Sequence, residues 1–209
     1  MEILRPRERG TEAAVIRCYA ALLRGDIIAF PTETYYGLGV KYDSPAALEL
    51  LYTIKNRPWD KAMPVIIGQR NLLSLIAAAV PPAAERLMDR FWPGPLTLIL
   101  PAKDTLSHYI TAGTGTVAVR IPGRSFALTL AEALEFPITA TSANISTHPP
   151  ADCAEAVSRY FGDRLDVIID CGKTPGAFPS TIVDATGKKP VIVRHGVLPD
   201  EEIFRALQT

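Results

Sequence analysis

The chain has 209 residues, 48% of them hydrophobic, and its 22 lysines and arginines balance 22 aspartates and glutamates. That length and apolar fraction predict one domain with a substantial core. A formal net charge of zero excludes a protein that wraps nucleic acid by bulk charge, although it leaves room for a local basic cleft. In chain order, a helix is predicted over 11–24, capped by Thr11 and stopped at Gly25. A short buried strand over 27–30 then runs into a predicted loop over 31–39. Ser44-Pro45 starts a helix, with Ser as N-cap and Pro at the first helical position. It should end near Lys55, because Pro58 biases Arg57 away from helix. A strand is predicted over 65–67, and helices over 71–79 and 83–91, the second stopped by Pro93-Gly94. Further strands are expected over 96–100, 117–121 and 138–141, with a helix over 125–134 before the last of these. Residues 154–161 read as a helix, 167–169, 181–185 and 191–194 as strands, and 200–207 as a closing helix. Short apolar runs alternating with helical patterns predict an α/β (α+β) chain, and with no linker to split it, one domain over 1–209.

Cys18, Cys153 and Cys171 are scattered and odd in number, and no C-x-x-C occurs, so neither a disulfide framework nor a zinc knuckle is supported. The N-terminus carries no secretory signature. The longest apolar stretch, 72–80, is too short to span a bilayer, so a cytoplasmic protein without membrane contact is expected.

Lys55-Asn56-Arg57-Pro58 sets two cations two residues apart at a rigid turn, and Lys61 adds a third. Arginine offers a planar fork and lysine a compact point charge for phosphate oxygens, while the plain alternative is a solvated helix end. Thr141-Ser142-Ala143-Asn144 ends an apolar run with a hydroxyl and an amide, which can orient a polar ligand or simply cap the strand. The run 31–39 holds threonines, tyrosines and glycines suited to close ligand approach; Thr32 and Thr34 would share a side if the run is extended. Its plain alternative is a polar turn with a solvent-facing Glu33. Arg120 ends an alternating strand, where it can clamp a carboxylate or serve a surface ion pair. Gly172-Lys173-Thr174 lacks the glycine cradle of a phosphate loop, and the glycines at 113 and 115 precede a strand where a dinucleotide fingerprint would follow one. No histidine has a metal partner at helical spacing and no nucleophilic triad assembles, so covalent catalysis is not indicated.

Taken in order, these segments resemble the YrdC/Sua5 family, the threonylcarbamoyl-AMP synthases. The resemblance rests on P-T-E-T-Y-Y-G-L-G at 31–39, K-N-R-P at 55–58, W-P-G-P-L-T at 92–97, T-V-A-V-R at 116–120, T-S-A-N at 141–144, P-S-T-I-V-D at 179–184 and V-R-H-G at 193–196. It implies a YrdC-like open, twisted mixed sheet flanked by helices around a concave ligand cleft. The last motif falls near the end of the chain, which is similar to the short members without an appended Sua5 domain. The implied activity is that of a nucleotidyltransferase. L-threonine, bicarbonate and ATP would give L-threonylcarbamoyladenylate and pyrophosphate, and the adenylate would pass to a threonylcarbamoyl transferase for the t6A modification of tRNA. ATP would be a substrate, Mg²⁺ would ride on its phosphates without a protein ligand, and no organic cofactor is implied.

By the same resemblance Lys55 and Arg57 are catalytic and hold nucleotide phosphates. Thr116, Ser142, Asn144 and Arg194 would complete the ATP site, while Thr32, Thr34, Arg120, Ala140 and Ser180 would bind threonine, Arg120 through its carboxylate. The chain departs from the family at Lys61-Ala62-Met63, where Lys-Pro-Leu is frequent, at Ser146-Thr147 and at His195. It departs also at Tyr35, where Val or Ile is usual. Two other readings remain open at this point. One is a YrdC-like module that binds RNA weakly without synthase activity. The other is a carbamoyl-adenylate-forming domain that uses carbamoyl phosphate.

Overall fold

In the computed structural model, which describes residues 1–176 and 178–208, the apolar runs sort into two mixed sheets instead of one. Strand β1 (Glu2–Leu4) is followed by a single-turn helix α1 (Pro6–Arg9) and by α2 (Thr11–Arg24). Thr11 is the first helical residue of α2 and not its cap; Gly10, which has no side chain to cap with, takes that place. Gly25 ends the helix in the left-handed conformation at φ 83°, donating its N–H to Ala21 and Leu22 carbonyls. Strands β2 (Ile28–Pro31) and β3 (Tyr36–Gly39) pair antiparallel, so the second half of the predicted loop is a strand. Helix α3 (Pro45–Lys55) begins at Ser44 as expected, although Ser44 makes no side-chain cap bond, and it ends on Asn56 in the left-handed region at φ 47°.

Beyond it come β4 (Val65–Ile66), a 3₁₀ turn and the one-turn helix α4 (Leu73–Ile76), then α5 (Pro82–Phe91) and β5 (Leu96–Pro101). The helix expected over 71–79 shrinks to α4, because Ala77 turns extended and bridges Ala102. A short α6 (His108–Thr111) leads to β6 (Thr116–Arg120) and α7 (Phe126–Glu132). The run 138–141 breaks into β7 (Ile138–Thr139) and β8 (Thr141–Ser142). The chain closes with α8 (Ala154–Phe161), β9 (Val167–Ile169), β10 (Thr181–Asp184), β11 (Val191–Arg194) and α9 (Asp200–Gln208).

One sheet has the order β1-β9-β2-β3-β8 and the other β11-β10-β5-β6-β4-β7. Strand period then divides the core. Ala29, Leu38 and Ile168 face a cluster shared with Val65, Leu98 and Val119 of the second sheet. Ile28, Phe30, Val167 and Ile169, one residue out of phase, face a second cluster with Cys18, Leu22 and Leu130 of α2 and α7. At Ala140 the chain leaves one sheet for the other: Thr139 pairs with Val65 in β4, and Thr141 with Leu38 in β3. The ends of both sheets therefore meet at that residue. Among the described residues no helix is long and apolar enough to cross a membrane.

Gly68, just after β4, passes so close to α7 that a Cβ there would lie 2.2 Å from the Ala131 carbonyl oxygen. The obstacle is backbone, so no rotamer change can relieve it. Gly68→Ala should cost about 2–3 kcal/mol of stability, read as a lower urea midpoint with unchanged slope.

Candidate functional site

A cavity of about 180 Å³ opens where the two sheets meet. Its walls come from the β2–β3 turn (Thr32, Thr34, Tyr35), from Arg57 after α3, and from Pro64 to Ile66 at β4. Thr97 of β5, Arg120 of β6, the crossing residues Ala140 to Ser142, and Pro179, Ser180 and Arg194 complete it. Eight of the eleven residues expected from the sequence thus share one wall: Thr32, Thr34, Arg57, Arg120, Ala140, Ser142, Ser180 and Arg194.

The three arginines dominate its electrostatics. Arg57 donates through Nε to the Lys61 carbonyl at 3.1 Å and through Nη2 to the Ala62 carbonyl at 2.6 Å, so the turn after Pro58 closes around its guanidinium. Arg194 donates twice to the Ser180 carbonyl, at 3.0 and 2.8 Å, and once to Ser180 Oγ at 2.9 Å. Arg120 donates to Glu33 Oε1 at 2.6 Å. Burial holds all three below the ordinary arginine pKa, and the charge of Arg120 adds to the effect on Arg194. Desolvated cations that repel one another bind an incoming anion more strongly than solvated ones do.

Hydroxyls fill the space between them. Thr32 Oγ1 donates to the Tyr35 carbonyl at 2.7 Å, accepts the Thr34 N–H at 3.0 Å, and lies 3.0 Å from Thr34 Oγ1. Ser180 Oγ lies 2.9 Å from Thr97 Oγ1. Strand β11 can approach Ser180 because residue 196 is glycine: a Cβ there would lie 2.3 Å from the Pro179 carbonyl oxygen and 2.5 Å from the Ser180 carbonyl carbon.

Three expected residues stand elsewhere. Thr116 lies at the far end of β6, four residues from Arg120, which is ~13 Å at ~3.3 Å per residue. Its hydroxyl bonds Thr114 Oγ1 at 2.8 Å, and it does not line the cavity. Asn144 is buried behind the wall, where Oδ1 accepts the Ser142 hydroxyl at 2.6 Å and Nδ2 donates to the His148 carbonyl at 2.5 Å. Lys55 is only 1% exposed. Its ammonium donates to the Ser142 carbonyl and, at 2.7 Å, to the Asn144 carbonyl. The Lys55 carbonyl in turn accepts the Ser146 N–H at 2.8 Å. Lys55 therefore fixes the 142–146 turn from behind, and burial, helped by the nearby charge of Arg57, lowers its pKa to about 7.

Two residues of the site were not singled out from the sequence. Thr97 closes the W-P-G-P-L-T run, and its even position on β5 puts it on the cavity side. Glu33, expected to face solvent in the plain reading of its loop, has a side chain only 15% exposed and is the ion-pair partner of Arg120. An acid beside two threonines is an ordinary turn composition, so nothing local marks it as buried.

The telomere recombination family of Sua5, YciO and YrdC proteins matches residues 20–196. The chain belongs to the Sua5/YciO/YrdC family. Among its curated members, the threonylcarbamoyl-AMP synthase of Pyrococcus abyssi is 42% identical over 98% of this chain and 60% of its own length. That of Thiobacillus denitrificans is 39% identical over 85% of this chain and 94% of its own length. The crystal structure of P. abyssi Sua5 complexed with L-threonine superposes with a TM-score of 0.89 at 40% identity, covering 98% of this chain and 59% of that one. The chain thus spans about three fifths of the length of the first of these Sua5/YciO/YrdC relatives.

The burial of Lys55 has a consequence in pH. Above pH 7 the folded state releases a proton that an unfolded lysine keeps, so the unfolded state binds more protons and stability rises with pH. The rise is expected between pH 7 and about 8.5, before buried thiols such as Cys18, raised to about 12, reverse it by ionising preferentially in the unfolded chain. Urea titrations across that interval should show the slope, and Lys55→Met should flatten it.

Proposed function

We propose that the chain is an L-threonylcarbamoyladenylate synthase, a nucleotidyltransferase that forms its product and pyrophosphate from L-threonine, bicarbonate and ATP. The observation that carries this reading is the convergence of Arg57, Arg120 and Arg194 on one small cavity interleaved with hydroxyls. Such a wall suits a carboxylate and a phosphate chain held side by side. The size, about 180 Å³, suits an amino acid in the inner part, with the nucleotide reaching in from the mouth. Kinship with synthases, and with a Sua5 protein bound to L-threonine, supports the choice of amino acid.

Bicarbonate and the threonine amine condense to the carbamate with loss of water. A carbamate oxygen then attacks the α-phosphorus of ATP. The new P–O bond forms as the bond to pyrophosphate breaks, and no protein nucleophile takes part. The work left to the protein is positioning and charge neutralisation. We assign phosphate contacts to Arg57 and Arg194, the threonine carboxylate to Arg120, and threonine's remaining polar groups to Thr32, Thr34, Ser180 and the backbone at Ala140. Ser142 faces the junction of the two substrates, while Lys55 and Asn144 hold its turn in place. Among the described residues no group of three or more His, Cys, Asp or Glu side chains stands together, so the donor set fits Mg²⁺ carried on phosphate oxygens. When bound there it neutralises developing charge on the pyrophosphate. The adenylate then serves a threonylcarbamoyl transferase acting on tRNA.

Pyrophosphate release should require ATP, L-threonine and bicarbonate together, each omission abolishing it. Release with carbamoyl phosphate and no threonine, or no release under any condition, would overturn the reading. Arg57→Ala should lower the rate by roughly a hundredfold with an unchanged circular dichroism spectrum.

A further inference from the structure

Glu33 stands out among the charged side chains near the cavity because it is held at a visible cost. Its side chain is 15% exposed, one carboxylate oxygen receives Arg120 Nη1 at 2.6 Å, and the other, Oε2, is buried with no hydrogen-bond partner among the described residues. A carboxylate kept only for stability would have both oxygens satisfied or would stand in water. Glu33 is also packed on purpose-built backbone: a Cβ on Gly123 would come within 3.0 Å of its Cγ. It does not line the cavity, whereas Arg120 does. The carboxylate therefore grips one corner of the guanidinium from behind the wall. Monodentate contact through Nη1 leaves the other edge of the fork free for a planar, two-oxygen partner. Arg120 hangs from β6 with its backbone fixed, Cα paired with Ile66 and carbonyl accepting the Ile67 N–H at 3.1 Å. What remains to be fixed is the direction of its long side chain, and among the described residues only Glu33 is bonded to it.

We propose that Glu33 is a positioning residue that orients Arg120, from behind the cavity wall, to grip the carboxylate of the amino-acid substrate. This rests on the synthase reading above. Glu33 touches neither substrate and acts only through Arg120. It also offsets the repulsion between Arg120 and Arg194, which lets two guanidiniums stand at one small cavity before any ligand arrives.

The test is binding of L-threonine, and of L-threoninol, which lacks the carboxylate, to the full chain by calorimetry. The variants are Glu33→Gln, Glu33→Ala, Arg120→Ala and the double variant. Glu33→Ala should weaken threonine binding by about tenfold, the loss typical of one charge-assisted contact, and Glu33→Gln by less, because the amide oxygen still accepts from Nη1. Threoninol binding should change little in either. In the Arg120→Ala background, Glu33→Ala should add no further loss. KM for threonine should rise with KM for ATP unmoved. Equal losses for threonine and threoninol, or additive losses in the double variant, would overturn the proposal by making Glu33 a direct ligand. Unchanged threonine affinity in both Glu33 variants would overturn it as well, while leaving the synthase reading intact. Wild-type protein that binds no threonine would bring down both. Glu33→Gln, close to isosteric, keeps the test decisive if the alanine variant does not fold.

Discussion

The ammonium of Lys55 sits among backbone carbonyls, with no acid bonded to it among the described residues. Two carbonyl oxygens of one turn, at Ser142 and Asn144, take the place of its water shell. Removing a lysine charge from water is costly, and two dipoles offset that cost only while both stay aimed at the nitrogen. The constraint therefore runs in both directions: the helix end is tied to the turn, and the turn is held in the one shape that satisfies the ion. Segments 87 residues apart in the chain become a single rigid corner. Ser142 on the cavity wall and Arg57 two residues beyond Lys55 both take their positions from it.

That corner lies on the seam between the sheets, and the seam explains why the cavity exists. Strands of one sheet pack edge to edge and leave no room between them, whereas two sheets between which the chain crosses at Ala140 leave their ends facing each other. The residues there come from β3, β4, β5, β6, β8, β10 and β11 together with the loops that join them. Few of these positions are fully solvated, so the arginines among them lose much of their hydration and keep their hunger for an anion.

Much of this was legible in the sequence. Apolar runs located most strands, proline and glycine located most helix ends, and the ordered polar motifs named eight of the residues on the cavity wall. What was not legible has a common cause. Period and composition report which face of a strand is apolar, but not which strand lies beside it. The run at 138–141 reads as one strand although its halves pair in different sheets. Thr116 and Arg120 share one strand, and only its pairing shows that just one end reaches the cavity. The fate of Lys55 was hidden for a related reason. A lysine at a helix end next to an arginine looks like a solvated cation, and its burial depends on carbonyls contributed from far along the chain. Glu33 was hidden in the same way, its partner lying on a strand that its own neighbours do not reveal.

The hydroxyl pair at the β2–β3 turn also gives the cavity a sense of direction. Thr32 gives its only proton to the Tyr35 carbonyl, so the short contact between the two threonines must be made by the proton of Thr34. Thr34 then has no proton left to offer inward, only lone pairs. The arginines of the same cavity can donate and never accept. A ligand entering the cavity therefore meets a proton acceptor at Thr34 and proton donors at the guanidiniums, so its own donors and acceptors are sorted by position.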